Sequence, residues 1–205
     1  IEFDNKKEKI FTKIIGKQNL FNILGVFSLL KEMGFEEKAI LRGIKRFKGV
    51  PGRLEKIENK KGYKIYVDYA HTPDALKNTL LTLKSLKPKK LIAIFGAGGN
   101  RDKNKRPLMG KVASQIADFV IITSDNPRFE DPLKIIEDIK RGIEDEKKIL
   151  INPDRKEAIK MGIEMMKKGD ILLVAGKGHE EYQEINGVKY PFNDKKVIKE
   201  IIDGN

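Results

Sequence analysis

Three uninterrupted apolar runs, Leu91 to Phe95, Phe119 to Thr123 and Ile171 to Ala175, alternate along this chain with stretches of helical periodicity. A strand that is apolar on both faces has to be covered on both faces, and a sheet covered by the helices that connect its strands is parallel. The fold class that follows is α/β, a mainly parallel sheet with helices on both faces. The helical stretches are Pro73 to about Lys87, capped by Thr72; Pro107 to about Ile116; Asp131 to Ile143; and Asp154 to Lys168, which follows a short strand at Lys148 to Ile151. Leu54 to Glu58 and Tyr63 to Tyr69 flank the turn residues Asn59-Lys60-Lys61-Gly62 and predict a hairpin. Glu181 to Tyr190, broken at Asn186-Gly187, predicts a second hairpin, and a last helix follows Asn193-Asp194.

The segment ahead of this alternation has a different pattern. Leu20 to Met33 and Glu36 to Phe47 carry apolar residues at helical spacing on either side of Gly34, which predicts a helical hairpin. Gly49-Val50-Pro51-Gly52 then breaks the pattern, placing a boundary between a helical piece, 1–49, and an α/β domain, 50–205. A length of 205 residues with 40% hydrophobic content suffices for one full domain plus a smaller piece.

Composition narrows the function. Without cysteine there is neither a disulfide framework nor a thiolate metal site, and an intracellular home is unopposed. Apolar runs fall far short of the roughly 20 residues a membrane span needs, and Ile1 onward carries no signal-peptide pattern, so a soluble, non-exported protein is expected. The net charge of +12 invites a nucleic-acid partner. Most of the excess, however, is lysine mixed with glutamate, as in Lys6-Lys7-Glu8-Lys9, and aromatic residues are not interleaved with it. A solvated face accounts for that pattern better.

In an open parallel sheet ligands bind outside the carboxyl ends of the strands. Four loops with unusual residues stand there: Asp68-Tyr69-Ala70-His71-Thr72-Pro73-Asp74, Gly96-Ala97-Gly98-Gly99-Asn100-Arg101-Asp102-Lys103, Ser124-Asp125-Asn126-Pro127-Arg128 and Gly176-Lys177-Gly178-His179-Glu180. The second fails the dinucleotide fingerprint, because Arg101 occupies the place of the sixth-position glycine. The fourth is no phosphate-binding P-loop either, having no glycine five residues before Gly176 and no Ser or Thr after Lys177. Arg128 follows Pro127, and a guanidinium on a stiff turn suits bidentate capture of a carboxylate; a solvent-facing arginine on an Asx-type turn fits the same residues. His71 and His179 read equally as bases or as structural histidines, and with two histidines and no clustered carboxylate spacing no zinc site is expected.

Taken together the motifs resemble the Mur ligases, most closely the type that adds meso-diaminopimelate to UDP-N-acetylmuramoyl-L-alanyl-D-glutamate. The matching features are Gly16-x-x-Asn19-x-x-Asn22, Val50-Pro51-Gly52-Arg53-x-Glu55, the Asp68 to Asp74 segment, Gly98-Gly99-Asn100-Arg101-Asp102-Lys103, Lys105-Arg106-Pro107, Asp125-Asn126-Pro127-Arg128 and Gly176 to Glu180. They occur in the family's order and cover nearly the whole chain.

The resemblance implies a Rossmann-like C-terminal domain that brings the amino acid to an acyl phosphate formed with ATP and Mg2+ in a central ATPase domain, of which 1–49 would be the tail. It implies that Arg53 reaches the nucleotide phosphates, Asp68 the ribose hydroxyls and Asn22 the adenine, with His71 and Asp74 bordering that site. Arg101, Asp125, Asn126, Arg128, Gly176 and Glu180 match positions that hold the diamino diacid. In such a site the arginines would pair with carboxylates, and Asp125 and Glu180 with the distal ammonium. Lysine-adding relatives do not retain the arginine corresponding to Arg128, which favours the diacid; meso-diaminopimelate and a near isostere such as lanthionine stay unseparated. Asn100 departs from the aspartate usual in the Gly-Gly-Asp-Arg motif. The family's UDP-binding domain, ATP loop and magnesium-binding carbamylated lysine have no counterpart here. The expectation is therefore a cytoplasmic, monomeric fragment that is inactive alone, with small-molecule partners and neither nucleic acid nor membrane. The competing readings are a basic nucleic-acid-binding module and a non-catalytic dinucleotide-binding domain.

Overall fold

The computed structural model describes residues 2, 3, 6, 7, 12 and 14–204. The chain divides into two compact units, Ile1–Val50 and Pro51–Asn205. In the first, the two-residue strands β1 (Glu2–Phe3) and β2 (Lys6–Lys7) pair antiparallel. Helices α1 (Lys17–Glu32) and α2 (Glu37–Arg46) form the expected hairpin, with Gly34 at φ 83 in the turn. Ile23 and Phe27 of α1 meet Ile40 and Ile44 of α2 in a small apolar cluster. Leu20, Phe21, Val26 and Leu29 remain exposed, and an apolar groove of about 480 Å³ runs between the helices.

The second unit is built on a six-stranded sheet in the order β3-β4-β8-β5-β6-β7. Its strands are β3 (Glu55–Ile57), β4 (Lys64–Asp68), β5 (Leu91–Phe95), β6 (Phe119–Ile122), β7 (Ile149–Ile151) and β8 (Ile171–Ala175). Only β3 runs antiparallel, through the predicted hairpin to β4; all other pairings are parallel. The helices are α3 (Pro73–Ser85), α4 (Lys105–Ile116), α5 (Pro132–Lys140), α6 (Arg155–Met165) and α7 (Asp194–Asp203). One face of the sheet, Ile65, Val67, Ile92, Ile94, Ile121, Leu172 and Val174, packs on Ala158, Ile159, Ile163, Val197 and Ile198 of α6 and α7. The helices α3, α4 and α5 pack side by side and against the sheet through other residues, burying Leu76, Leu80, Leu83, Met109, Ala113 and Ile136. The α/β class with both faces covered is therefore as the apolar runs required.

Element ends shift by a few residues for local reasons. Helix α3 starts as expected, with the Thr72 hydroxyl accepting from Ala75 N–H and Pro73 in the first turn. Helix α4 starts at Lys105, two residues before Pro107, because proline is tolerated throughout a first turn. Helix α5 stops at Lys140, and beyond it Gly142 lies against α4, where an added Cβ would fall 1.8 Å from Pro107 O. The register pairs Asp68 with Ala175 and Phe95 with Ile122, so the strands end together and their loops open on one edge. The hairpin of β9 (Tyr182–Ile185) and β10 (Val188–Pro191) stands beside that edge as a separate two-stranded sheet.

Candidate functional site

The loops after β6 and β8 interlock. Asp125, Asn126 and Lys177 are buried, and Glu180 is half-buried. Asn126 Nδ2 donates to Glu180 Oε2 at 2.9 Å, while Asn126 Oδ1 accepts from Lys177 Nζ at 2.9 Å and from Glu184 N–H at 3.0 Å. Lys177 Nζ also donates to Glu180 Oε2 at 3.1 Å and lies 3.7 Å from Asp125 Oδ1. Gly176 has φ 113, a backbone conformation that favours glycine, and a Cβ there would fall 2.5 Å from Asp125 Oδ2. The structure therefore brings Asp125, Asn126, Gly176 and Glu180 together. Lys177 at its centre carries no role of its own in the sequence, where it stands only as one member of the Gly176 to Glu180 motif.

Arg128 has the left-handed φ of 53, and its backbone is tied to β9. Arg128 N–H donates to Glu184 O at 3.0 Å, and its carbonyl accepts from Asn186 N–H at 2.6 Å. Its guanidinium donates from Nη1 to Gly99 O at 2.8 Å and pairs through Nε with Glu184 Oε2 at 3.2 Å. The fork is thus held from one side by the glycine-rich loop and from the other by β9, rather than waving in solvent. Glu184 was not singled out in the sequence; its signal is a carboxylate alternating with the outward residues of the last hairpin.

The glycine-rich loop after β5 is shaped by Asn100, at φ 52, whose Oδ1 accepts from Phe129 N–H at 3.1 Å and whose N–H donates to Glu130 Oε1. Asparagine supplies the acceptor that the family's aspartate would, and it tolerates the left-handed backbone well. Arg101 itself is exposed and touches only Asn100 O, at 3.5 Å, among the described residues. It stands on the same loop as the Arg128 contact: a Cβ on Gly98 would meet Arg128 Nη1 at 3.0 Å and Arg101 Cγ at 3.7 Å. Buried Arg106 grips Glu130 with both terminal nitrogens at 3.0 Å and also reaches Asp138 at 2.9 Å. These hydrogen bonds hold the Glu130 carboxyl at about 2, well below its ordinary 4.5, against the opposing effect of burial.

A second cluster gathers round the loop after β4. Arg53 stacks over the Tyr69 ring at 4.7 Å, and Tyr69 meets His71 and His179 at centroid distances of 4.7 and 5.4 Å. His71 Nδ1 is 2.8 Å from Tyr69 O, and Asp74 is exposed in the first turn of α3. Asp68 is buried and already accepts three hydrogen bonds, from Leu54 N–H on Oδ2 and from Ala70 N–H and Thr79 Oγ1 on Oδ1. Lys105 links this cluster to the glycine-rich loop by donating to His71 O at 2.9 Å; burial draws its ammonium below the usual lysine range although Asp125 and Asp102 oppose the shift. Asn22 lies exposed on α1 in the first unit, at the wall of its apolar groove. Among the described residues no cluster of three His, Asp or Glu could hold a metal, and no helix is long and apolar enough to cross a membrane.

The whole edge rests on a buried ion pair. Arg155, at the start of α6, binds both Asp194 oxygens at 2.8 Å and donates to Ser124 O and Ala175 O, the carbonyls that lead into the two interlocked loops.

The pattern that defines the family described as Mur ligase, glutamate ligase domain, matches residues 52–178. This chain belongs to the Mur ligase family. It is 49% identical over its full length to the UDP-N-acetylmuramoyl-L-alanyl-D-glutamate--2,6-diaminopimelate ligase of Aquifex aeolicus (strain VF5), and 47% identical over 98% of its length to the same-named protein of Lawsonia intracellularis (strain PHE/MN1-00). In each case it spans 42% of the relative's length. A solved UDP-N-acetylmuramoyl-L-alanyl-D-glutamate--2,6-diaminopimelate ligase superposes on 95% of the chain, with a TM-score of 0.74, 42% identity and 40% of its own length covered. The UDP-N-acetylmuramate-alanine ligase of Thermotoga maritima matches 85% of the chain with a TM-score of 0.64, 26% identity and 38% of its own length covered. Neither the family match nor these relatives lend support to the nucleic-acid-binding or dinucleotide-binding alternatives.

Proposed function

We propose that this chain is the C-terminal, amino-acid-binding part of an ATP-dependent ligase that joins meso-diaminopimelate, or a near-isosteric diamino diacid, to UDP-N-acetylmuramoyl-L-alanyl-D-glutamate. The observation that carries the reading is that a fixed guanidinium, Arg128, and two carboxylates, buried Asp125 and half-buried Glu180, stand on loops at one sheet edge. A diamino diacid has at its distal end both a carboxylate for the first and an ammonium for the second, whereas lysine has only the ammonium.

In this reaction the γ-phosphoryl group of ATP passes to the acceptor carboxylate, giving an acyl phosphate and ADP. The amine of the incoming amino acid attacks the acyl carbon, phosphate leaves, and the amine loses a proton as the amide forms. The residues of this chain contribute by position and charge. Arg128 and Arg101 take the carboxylates of the diacid, Asp125 and Glu180 its distal ammonium, with Asn126 holding Glu180 in place and Gly176 allowing the close approach. Arg53 would meet the nucleotide phosphates, Asp68 would use the spare acceptor capacity of Oδ2 for a ribose hydroxyl, and Asn22, His71 and Asp74 would border the nucleotide. Most of the rate gain then comes from holding the amine against the acyl phosphate. Magnesium would be held by residues outside this chain, and the chain alone would lack ligase activity. A cytoplasmic, monomeric protein with small-molecule partners fits this role.

The test is a calorimetric titration of the chain with meso-diaminopimelate, lanthionine and lysine. Both diacids should bind more tightly than lysine by about tenfold or more; lysine binding as well as the diacids would overturn the substrate assignment.

A further inference from the structure

Lys177 is fully buried, yet its side chain ends in an ammonium. Packing does not account for it, since methionine would fill the same space without the cost of burying a charge. Its contacts do. Asn126 Oδ1 accepts from Lys177 Nζ and from Glu184 N–H, which leaves the Asn126 amide only one orientation, with Nδ2 toward Glu180. Glu180 Oε2 then receives both Asn126 Nδ2 and Lys177 Nζ. Oε1 is the oxygen left for a ligand.

Asp125 and Glu180 both face Lys177, and Lys105 also interacts with Asp125, so what the cluster offers a ligand is the Glu180 Oε1 lone pairs rather than a net charge.

We propose that Lys177 is a positioning residue for the ammonium-binding half of the amino-acid site: with Asn126 it holds Glu180 Oε2, so that Oε1 is the oxygen kept for the ligand's ammonium. This rests on the diamino diacid reading above. Lys177 need not touch the substrate; it acts through Asn126 and Glu180.

The experiment measures the affinity of the chain for three ligands: meso-diaminopimelate, 2-aminopimelate, which lacks the distal ammonium, and lysine, which lacks the distal carboxylate. The unmodified chain should prefer meso-diaminopimelate to 2-aminopimelate by roughly tenfold or more. In Lys177→Met that preference should shrink to about threefold or less, with lysine weakened alongside meso-diaminopimelate and 2-aminopimelate little changed. Lys177→Arg, which keeps a cation, should restore most of the preference. Thermal unfolding checks that each variant folds, and Lys177→Gln replaces Lys177→Met if the latter does not. All three ligands weakening by one common factor, or none weakening, would overturn the proposal. The ratio of meso-diaminopimelate to lysine in the unmodified chain tests the substrate reading separately, because it reports on Arg128 and not on the ammonium.

Discussion

Asn126 and Glu180 stand on loops that follow different strands, and the Asn126 side-chain amide donates to Glu180 Oε2 at 2.9 Å. This bond, with Lys177 beneath it, converts two neighbouring loops into one rigid acid cluster on the edge where the sheet opens.

Asn126→Ala should therefore cost the fold about 2–3 kcal/mol, because it strips Lys177 Nζ and Glu184 N–H of an acceptor in a buried place. Urea unfolding measures this. A loss under about 0.5 kcal/mol would mean that the amide is a bystander.

Arg155 and Asp194 form the buried support below the same loops. Removing one partner, in Arg155→Met or Asp194→Leu, should destabilise by about 3–5 kcal/mol, because a charge is left buried and unpaired. The double variant should lose far less than the sum, as measured by a double-mutant cycle. Additive losses would contradict a direct pairing.

Much of this scaffold can be read in the sequence. Thr72-Pro73 marks the start of α3, Asn186-Gly187 marks the last hairpin, and the apolar runs give the buried strands because they are about five residues long, too short for a helix, and those of β5 and β8 are followed by glycine-containing loops. The position of β8 between β4 and β5 is not legible, since strands apolar on both faces carry no mark of their neighbours. The buried charges were also missed: Lys177, Arg106 and Arg155 look like surface residues until their partners, far along the chain, are in place. Arg155 did leave one trace. A cation in the first turn of a helix opposes the helix dipole, and here it is held by Asp194. Of the candidate site residues, Asp125, Asn126, Gly176 and Glu180 converge because their loops follow adjacent apolar strands or near neighbours, whereas Arg101 stays exposed.

Acid should loosen the glycine-rich loop. Glu130 has a folded-state value of about 2 against an ordinary 4.5, mainly through hydrogen bonds from Arg106. A depressed carboxylate contributes its stability above the unfolded value and loses it as pH falls toward the folded one. Between about pH 5 and pH 2 the unmodified chain should thus lose stability more steeply than Glu130→Gln, by up to about one proton's worth of slope. Urea midpoints across that range decide it, and equal slopes would count against the pairing.

Gly99→Ala places a methyl group where Pro127 O lies only 1.9 Å from an added Cβ. A backbone carbonyl cannot swing aside as a side chain would, so the turn that carries Arg128 must shift. The affinity for meso-diaminopimelate should drop by about tenfold or more. Calorimetry showing unchanged affinity would detach this close approach from substrate binding.

The most direct test of the account is the ratio of meso-diaminopimelate to lysine affinity in the unmodified chain and in Arg128→Ala. The account predicts a preference of about tenfold or more for the diacid that falls close to unity when the guanidinium is removed, with lysine affinity little changed. A preference that survives Arg128→Ala, or that is absent from the start, would contradict it.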